Sequence, residues 1–338
     1  MRTLVEAATG FPVILCTTAL IVVVGFWLLV GRGAAADGAG RRALRRLVAD
    51  VCCYDRCTDS VGSSPASTNT KVPKTRRYRR SSPGYWSPMD MDEVEVVVAH
   101  SERATLRVGD VFLKVDADQA RIDVEVEAMA LAPVPTPEVL WRKPPVLAIA
   151  AVPGTALGRL GKPSTASPAA WAAVGAAVRK LHEAPLPPWV GQRRRGPDEL
   201  LTELEGECEL LVASGVLPAD LVTRNRQVAE AAIRQWTPAF THGDLQIDHV
   251  FVDADEVTGI IDWSEAGRGD ALSDLATLTI GHPEHLDDVI AGYGTDIDLD
   301  VIRAWWSLRS LLGVRWLVEH GFDPFAPGCE VDVLKSRM

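Results

Sequence analysis

From residue 94 the chain alternates in a way that predicts a small set of strands followed by a long run of helices. Val94–Ala99 and Thr105–Val108 are rich in β-branched residues and read as strands. Gly109-Asp110 turns the chain into a third strand, Val111–Val115, completing a hairpin signal. Asp118–Leu131 has helical spacing and is ended by Pro133 and Pro135. Short strands at Val139–Trp141 and Val146–Ala150 follow, and Pro153-Gly154 breaks the pattern. Helices are then expected at Pro168–His182, Pro197–Ser214 and Pro218–Gln235, interrupted by strands and loops over Phe240–Trp263. Further helices are expected at Ala271–Ile280, Pro283–Tyr293 and Asp300–His320. The last carries Val301, Ile302, Trp305, Leu308, Leu312 and Trp316 at helical spacing, which marks most of them as core. The architecture expected is α+β and two-lobed: a small β-rich N-lobe over residues 89–152 and a larger helical C-lobe over residues 153–338, with a cleft between them.

The N-terminal quarter follows other rules. Ala7 to Gly31 contains no charged residue and is long enough to cross a bilayer as one helix, so residues 1–31 are expected to be transmembrane. Arg32, Arg41, Arg42, Arg45 and Arg46 follow it, which by the positive-inside rule places the body in the cytoplasm. Residues 32–88 are basic, polar and rich in Ser and Pro, and are expected to be a disordered linker. The abrupt change at Met89 raises a second expectation, that residues 1–88 do not belong functionally to the body and that the native start is Met89 or Met91. Peptide mapping of the native protein decides between these, since peptides from residues 1–80 exclude the second.

Composition sharpens this division. Residues 1–88 hold 13 Lys and Arg against 5 Asp and Glu, whereas residues 89–338 hold 22 against 40. So acidic a body disfavours nucleic acid as a partner and is compatible with a cationic small molecule; Glu265, Asp287, Asp288, Asp296 and Asp298 are either contacts for such a molecule or, the reading preferred here, solvated surface. Of six cysteines only Cys208 and Cys329 lie in the body, which excludes a disulfide framework there and suits a reducing compartment.

The candidate chemistry is concentrated in Thr241-His242-Gly243-Asp244-Leu245-Gln246-Ile247-Asp248-His249 and in Gly259-Ile260-Ile261-Asp262-Trp263. A loop carboxylate at Asp244 is placed to take a proton from a hydroxyl and hold that hydroxyl in line for phosphoryl transfer, with His242 bracing the loop. Asp262 follows after a predicted hairpin that returns it to the same end of the sheet, where one carboxylate with phosphate oxygens suffices for Mg²⁺. Lys114, flanked by core positions on its strand, fits the lysine that steadies nucleotide phosphates. Its partner is expected on the next helix at Glu127, with Glu125 as the alternative.

Together with Gly269-Asp270-Ala-Leu-Ser-Asp274-Leu-Ala, these motifs resemble the aminoglycoside phosphotransferase family of the protein-kinase-like fold, over roughly residues 92–325. The resemblance implies that Asp244 is the catalytic base, that Asp262 binds Mg²⁺, that Lys114 binds ATP or GTP, and that Ala150 and Ala151 form a hinge contacting the base. Asp270 and Asp274 are expected to cap the following helix or brace the catalytic loop. His249 stands where the family usually places an Asn that is a second metal ligand, although members resembling macrolide kinases also carry His there. The expected phosphate-covering turn, His100-Ser101-Glu102-Arg103-Ala104, has no glycine, so the Ser101 hydroxyl is expected to substitute for close backbone approach. The implied function is γ-phosphoryl transfer to a hydroxyl of an aminoglycoside-like acceptor. The alternatives are a macrolide kinase, a homoserine, choline or sugar kinase, or a weakly active nucleotide-binding regulator.

Overall fold

The computed structural model describes residues 94–99, 103–191, 196–294 and 297–336. The expected membrane helix (1–31) and linker (32–88) lie outside these, and among the described residues no helix is long and apolar enough to cross a membrane. Contacts divide the described chain into two units, one of residues 94–97 with 106–109 and the other of residues 98–105 with 110–336. The first comprises most of β1 (Val94–Ala99) and the end of β2 (Arg103–Val108), with Val96 and Val97 exposed and Leu106 buried.

In the second unit, β3 (Val111–Asp116) pairs antiparallel with β5 (Val146–Ala150), which pairs antiparallel with β4 (Val139–Lys143). The inner strand is β5, and Leu147, Ala148 and Ile149 are all buried, as expected of a strand covered on both faces. Helix α1 (Gln119–Leu131) begins where the Asp118 carboxylate accepts from the Ala120 N–H. Its buried face is Ile122, Glu125, Ala128 and Met129.

The helical part follows β6 (Thr155–Ala156) with α2 (Pro168–His182), α3 (Pro197–Ala213) and α4 (Ala219–Ala229). Ser167 caps α2, and Pro168 occupies its first turn, where the missing N–H costs nothing. The expected helix over 218–235 is shorter: α4 stops at Ala229 and a 3₁₀ turn takes over Glu230–Ala232. The Phe240–Trp263 region contains β7 (Ala239–Thr241), β8 (Val250–Asp253) and β9 (Glu256–Ile260). β8 and β9 form the expected hairpin, extended by β6 into a three-stranded sheet, and β7 pairs with β10 (Gly267–Gly269). The chain then forms α5 (Ala271–Thr279), α6 (Leu286–Tyr293), α7 (Leu299–Glu319) and a short α8 (Glu330–Lys335). Neither β10 nor α8 was legible in the hydrophobic pattern. Both are too short for a period to declare itself.

One apolar cluster runs from Ile122, Leu147 and Ile149 through Trp171, Phe240, Leu245 and Ile260 to Trp306. A second joins α3, α4, α7 and α8 through Leu204, Leu211, Leu221, Leu308, Leu311 and Leu334. The expected core face of α7 holds at Val301, Ile302 and Leu308, while Trp305 and Leu312 are half-buried. Trp316 departs from it: the ring is 42% exposed and stacks on His320 at 4.0 Å, because the last turn of the helix presents it to neighbouring rings instead of the interior.

Candidate functional site

The site is built outward from the turn that follows β7. His242 is fully buried; its Nε2–H donates to the Ile261 carbonyl at 2.9 Å and its Nδ1 accepts from the Asp244 N–H at 3.3 Å. Burial holds its pKa below the usual histidine range despite the opposing field of Asp274, which agrees with a neutral ring. His242 therefore braces the loop. Asp274, on α5 and 1% exposed, accepts from the backbone N–H of His242 at 2.7 Å and of Gly243 at 3.0 Å. Behind it, His182 Nε2 lies 3.2 Å from the same carboxylate and His182 Nδ1 3.0 Å from the Tyr293 hydroxyl. Asp270 caps α5 by accepting from the Leu272 N–H. Of the two roles expected for these acids, Asp270 takes the cap and Asp274 the brace.

Gly243 has φ +83°, and a Cβ there would overlap the Glu265 carbonyl oxygen. Gly243→Ala is accordingly expected to cost about 2–5 kcal/mol from backbone strain and overpacking, read as a lowered midpoint of thermal unfolding.

Asp244 follows this turn. Gln246 Nε2 donates to both of its oxygens, at 3.2 and 3.1 Å, and Arg309 Nη2 from α7 lies 2.6 Å from Oδ1. An ion pair this short, with side chains 25% and 13% exposed, is charge-assisted and partly screened from water.

The β8–β9 hairpin then delivers Asp262, as the spacing requires. Its backbone has φ 65°, ψ 58°, the left-handed conformation that Asp tolerates better than most residues. Lys114 Nζ from β3 lies 2.8 Å from Asp262 Oδ1 and 2.5 Å from Glu125 Oε1 on α1. Burial opposes the charge on Lys114, but Asp262 and Glu125 outweigh it and raise its pKa above the ordinary lysine range. Burial likewise opposes the charge on Asp262, and Lys114, His249 and Arg103 more than offset it, so the carboxyl falls well below the usual range. Glu125, under the same ammonium, moves the other way, because burial and the competing charge of Asp262 exceed what Lys114 returns. The one ammonium thus bridges two carboxylates within hydrogen-bond distance of both.

His249 Nδ1 lies 2.8 Å from the Asp244 carbonyl oxygen, so that nitrogen donates; Nε2 lies 3.7 Å from Asp262 Oδ2. Burial lowers its pKa, but Asp262, Asp244 and Asp248 together raise it above the ordinary value. In the tautomer with Nδ1–H, Nε2 and Asp262 Oδ2 form a mixed nitrogen and oxygen donor pair. Among the described residues no group of three metal-ligating side chains gathers, so an ion here would draw its remaining ligands from water and phosphate, the habit of Mg²⁺.

Three expectations change. Glu127 is exposed, and it is Glu125 that meets Lys114. Positions 125 and 127 differ by about 200° around a helix, and Glu125 shares the face of Ile122 and Met129. Ala150 and Ala151 do stand at the end of β5, but the Ala150 N–H donates to the Glu138 carbonyl and the Ala151 N–H to that of Asp110. Among the acids proposed for a cation, Asp298 caps α7 and Asp288 pairs with His285, so both have structural duties. Ser101 and Asp296 lie outside the described residues. Gln246 stood inside the motif but was given no role; Arg309 and His182 were not singled out by sequence, and each acts across a fold contact that carries no local spacing signature.

A family model described as a phosphotransferase enzyme family matches residues 99–305. A comparison with curated proteins gave no match. Among solved structures, the aminoglycoside phosphotransferase APH(3'')-Id from Streptomyces rimosus is 28% identical, with 66% of this chain and 94% of that one covered and a TM-score of 0.47. The macrolide 2'-phosphotransferase MphH from Brachybacterium faecium is 17% identical, with 72% and 91% covered and a TM-score of 0.51. A GDP complex of aminoglycoside 2'-phosphotransferase-IIIa is 18% identical, with 74% and 93% covered and a TM-score of 0.54. The last two likenesses show a shared fold.

Proposed function

Since the chain belongs to the phosphotransferase enzyme family, we propose that it moves the γ-phosphoryl group of ATP or GTP to a hydroxyl of a small molecule. The observation that carries this reading is the Lys114 ammonium held at once by Glu125 and Asp262, residues 148 positions apart from lysine to aspartate. Such a pair leaves a cation and a carboxylate facing the place where triphosphate and metal charge must be balanced.

In this reading Asp244 accepts the acceptor's hydroxyl proton as the acceptor oxygen bonds to the γ-phosphorus. The bond from that phosphorus to the β–γ bridging oxygen breaks, and the nucleoside diphosphate leaves. His242 and Asp274 hold the Asp244 loop. Asp262, with His249 beside it, would hold a divalent cation, which neutralises phosphate charge when bound. Residues 89–152 serve as the nucleotide lobe and residues 153–338 as the catalytic and acceptor lobe. A membrane tether in residues 1–31 is part of this proposal only if that segment is native to the protein. The acceptor is aminoglycoside-like or a related hydroxylated molecule, a class supported by the aminoglycoside 2'-phosphotransferase-IIIa whose fold is shared.

The test is incubation of the full chain with ATP or GTP, Mg²⁺ and a panel of hydroxylated acceptors, reading diphosphate release and phosphorylated product by mass spectrometry. Acceptor-dependent release is expected; none with either nucleotide rejects the proposal. Lys114→Met is expected to lower kcat/KM for the nucleotide about 10²-fold, the scale for losing one electrostatic contact to the transferring group. An unchanged value would remove Lys114 from the nucleotide site.

A further inference from the structure

The proposed base does not stand alone in its loop. Arg309 Nη2 is 2.6 Å from Asp244 Oδ1, and Gln246 donates to both carboxylate oxygens. Arg309 rises from the middle of α7, which is anchored one turn earlier where Trp305 Nε1 donates to Asp270 Oδ2 at 2.9 Å. The helix that carries the guanidinium is thus anchored beside the loop, and the guanidinium itself is held by Asp244. Glu330, at the start of α8, also feels the field of Arg309, while burial pushes its own carboxyl above the usual range and weakens it as a competing anion.

A carboxylate that is to bind an acceptor hydroxyl ordinarily also attracts any ammonium group next to that hydroxyl. Here a guanidinium already compensates the carboxylate. A hydroxyl hydrogen-bonded to Asp244 Oδ1 sits within about 6 Å of Arg309 Nη2, two hydrogen-bond lengths away, and a substituent on the neighbouring carbon lies up to about 3 Å further. At that distance, in a partly buried setting, like charges repel strongly.

We propose that Arg309 is a specificity-determining residue that cancels much of the pull of Asp244 on cations, so that acceptors whose reacting hydroxyl has a neutral neighbour are preferred over those whose hydroxyl is flanked by an ammonium group. The inference rests on the phosphotransfer reading and narrows it: an aminoglycoside would fit only through a hydroxyl with no charged amine beside it. It also runs against the net acidity of the body, because the charge that governs an acceptor is the one at contact distance from its hydroxyl.

The experiment compares wild-type full chain with Arg309→Gln and Arg309→Lys, using choline and streptomycin as cationic acceptors, glucose as a neutral one and glycerate as an anionic one. Relative kcat/KM is read from ADP release. Wild type is expected to favour glucose. Arg309→Gln is expected to improve the cationic acceptors at least about tenfold relative to glucose, the size of one modest electrostatic contact, and Arg309→Lys, which keeps the charge, to preserve the wild-type ranking. Choline as the best wild-type acceptor, streptomycin phosphorylated at the hydroxyl beside its methylamino group in preference to glucose, or the same ranking in Arg309→Gln, overturns the proposal. If Arg309→Gln fails to fold, the wild-type and Arg309→Lys rankings still decide. ADP release to water without use of glucose or glycerate also overturns the charge preference. Absence of diphosphate release with both ATP and GTP across the wider acceptor panel instead overturns the phosphotransfer reading beneath it.

Discussion

Asp244→Asn is expected to lower acceptor-dependent turnover by about 10²–10⁴-fold, the range for loss of a positioned general base, while leaving KM for the nucleotide nearly unchanged. Asparagine keeps the size of the side chain and an oxygen for Gln246 and Arg309, so the loop should stay in place. What disappears is the negative charge that takes the proton. The effect should therefore fall on kcat and not on binding, which steady-state kinetics with varied nucleotide and fixed acceptor separates. Asp244→Ala is a less clean comparison, because it also strands the Arg309 guanidinium in a half-buried position. Turnover of Asp244→Asn at the wild-type level would show that the base lies elsewhere.

The second large effect belongs to Asp274, which need not touch any substrate. Its carboxylate accepts from two backbone N–H groups and faces His182 Nε2, all within an interior where it is 1% exposed. Asp274→Ala leaves those donors without a partner, at about 1–3 kcal/mol each, so a total loss of about 3–5 kcal/mol is expected. For a chain of this size that lowers the unfolding midpoint by roughly 10 °C, measurable by circular dichroism. Asp274→Asn retains one acceptor oxygen and should lose less. Activity measured well below the midpoint should still fall in both variants, because the turn carrying Gly243 and Asp244 is no longer held from behind. A midpoint within a degree or so of wild type in Asp274→Ala would contradict the brace.

The chain disclosed much of this in advance, for reasons that differ from place to place. The strands at 94–99, 111–116 and 146–150 and helices α1, α2 and α3 were legible because runs of five or more residues display their period. The β8–β9 hairpin was legible from two apolar runs joined by Ala254-Asp255, and it fixed where Asp262 had to return. Glu125 was also within reach of the pattern: three residues after Ile122 and four before Met129, it lies on the buried face, whereas Glu127 points away. Arg309 was of another kind. On its own helix it is one more long polar side chain, and only the fold brings it across 65 positions to Asp244. The same holds for His182, joined to Asp274 over 92 positions. Periodicity reports the environment of an element; a contact between distant elements depends on how they dock, and one sequence contains no term for that.

The left-handed backbone of Asp262 has a consequence for mutational drift. Two independent constraints fall on one position: the conformation favours Gly, Asn or Asp, and the ammonium of Lys114 requires a carboxylate. Glycine and asparagine satisfy the first and fail the second; glutamate satisfies the second and carries a longer side chain into a conformation it seldom adopts. Aspartate is the intersection. In a saturation library at position 262 the survivors should therefore form almost a single-letter alphabet, and no one-step detour should relax the backbone without surrendering the charge.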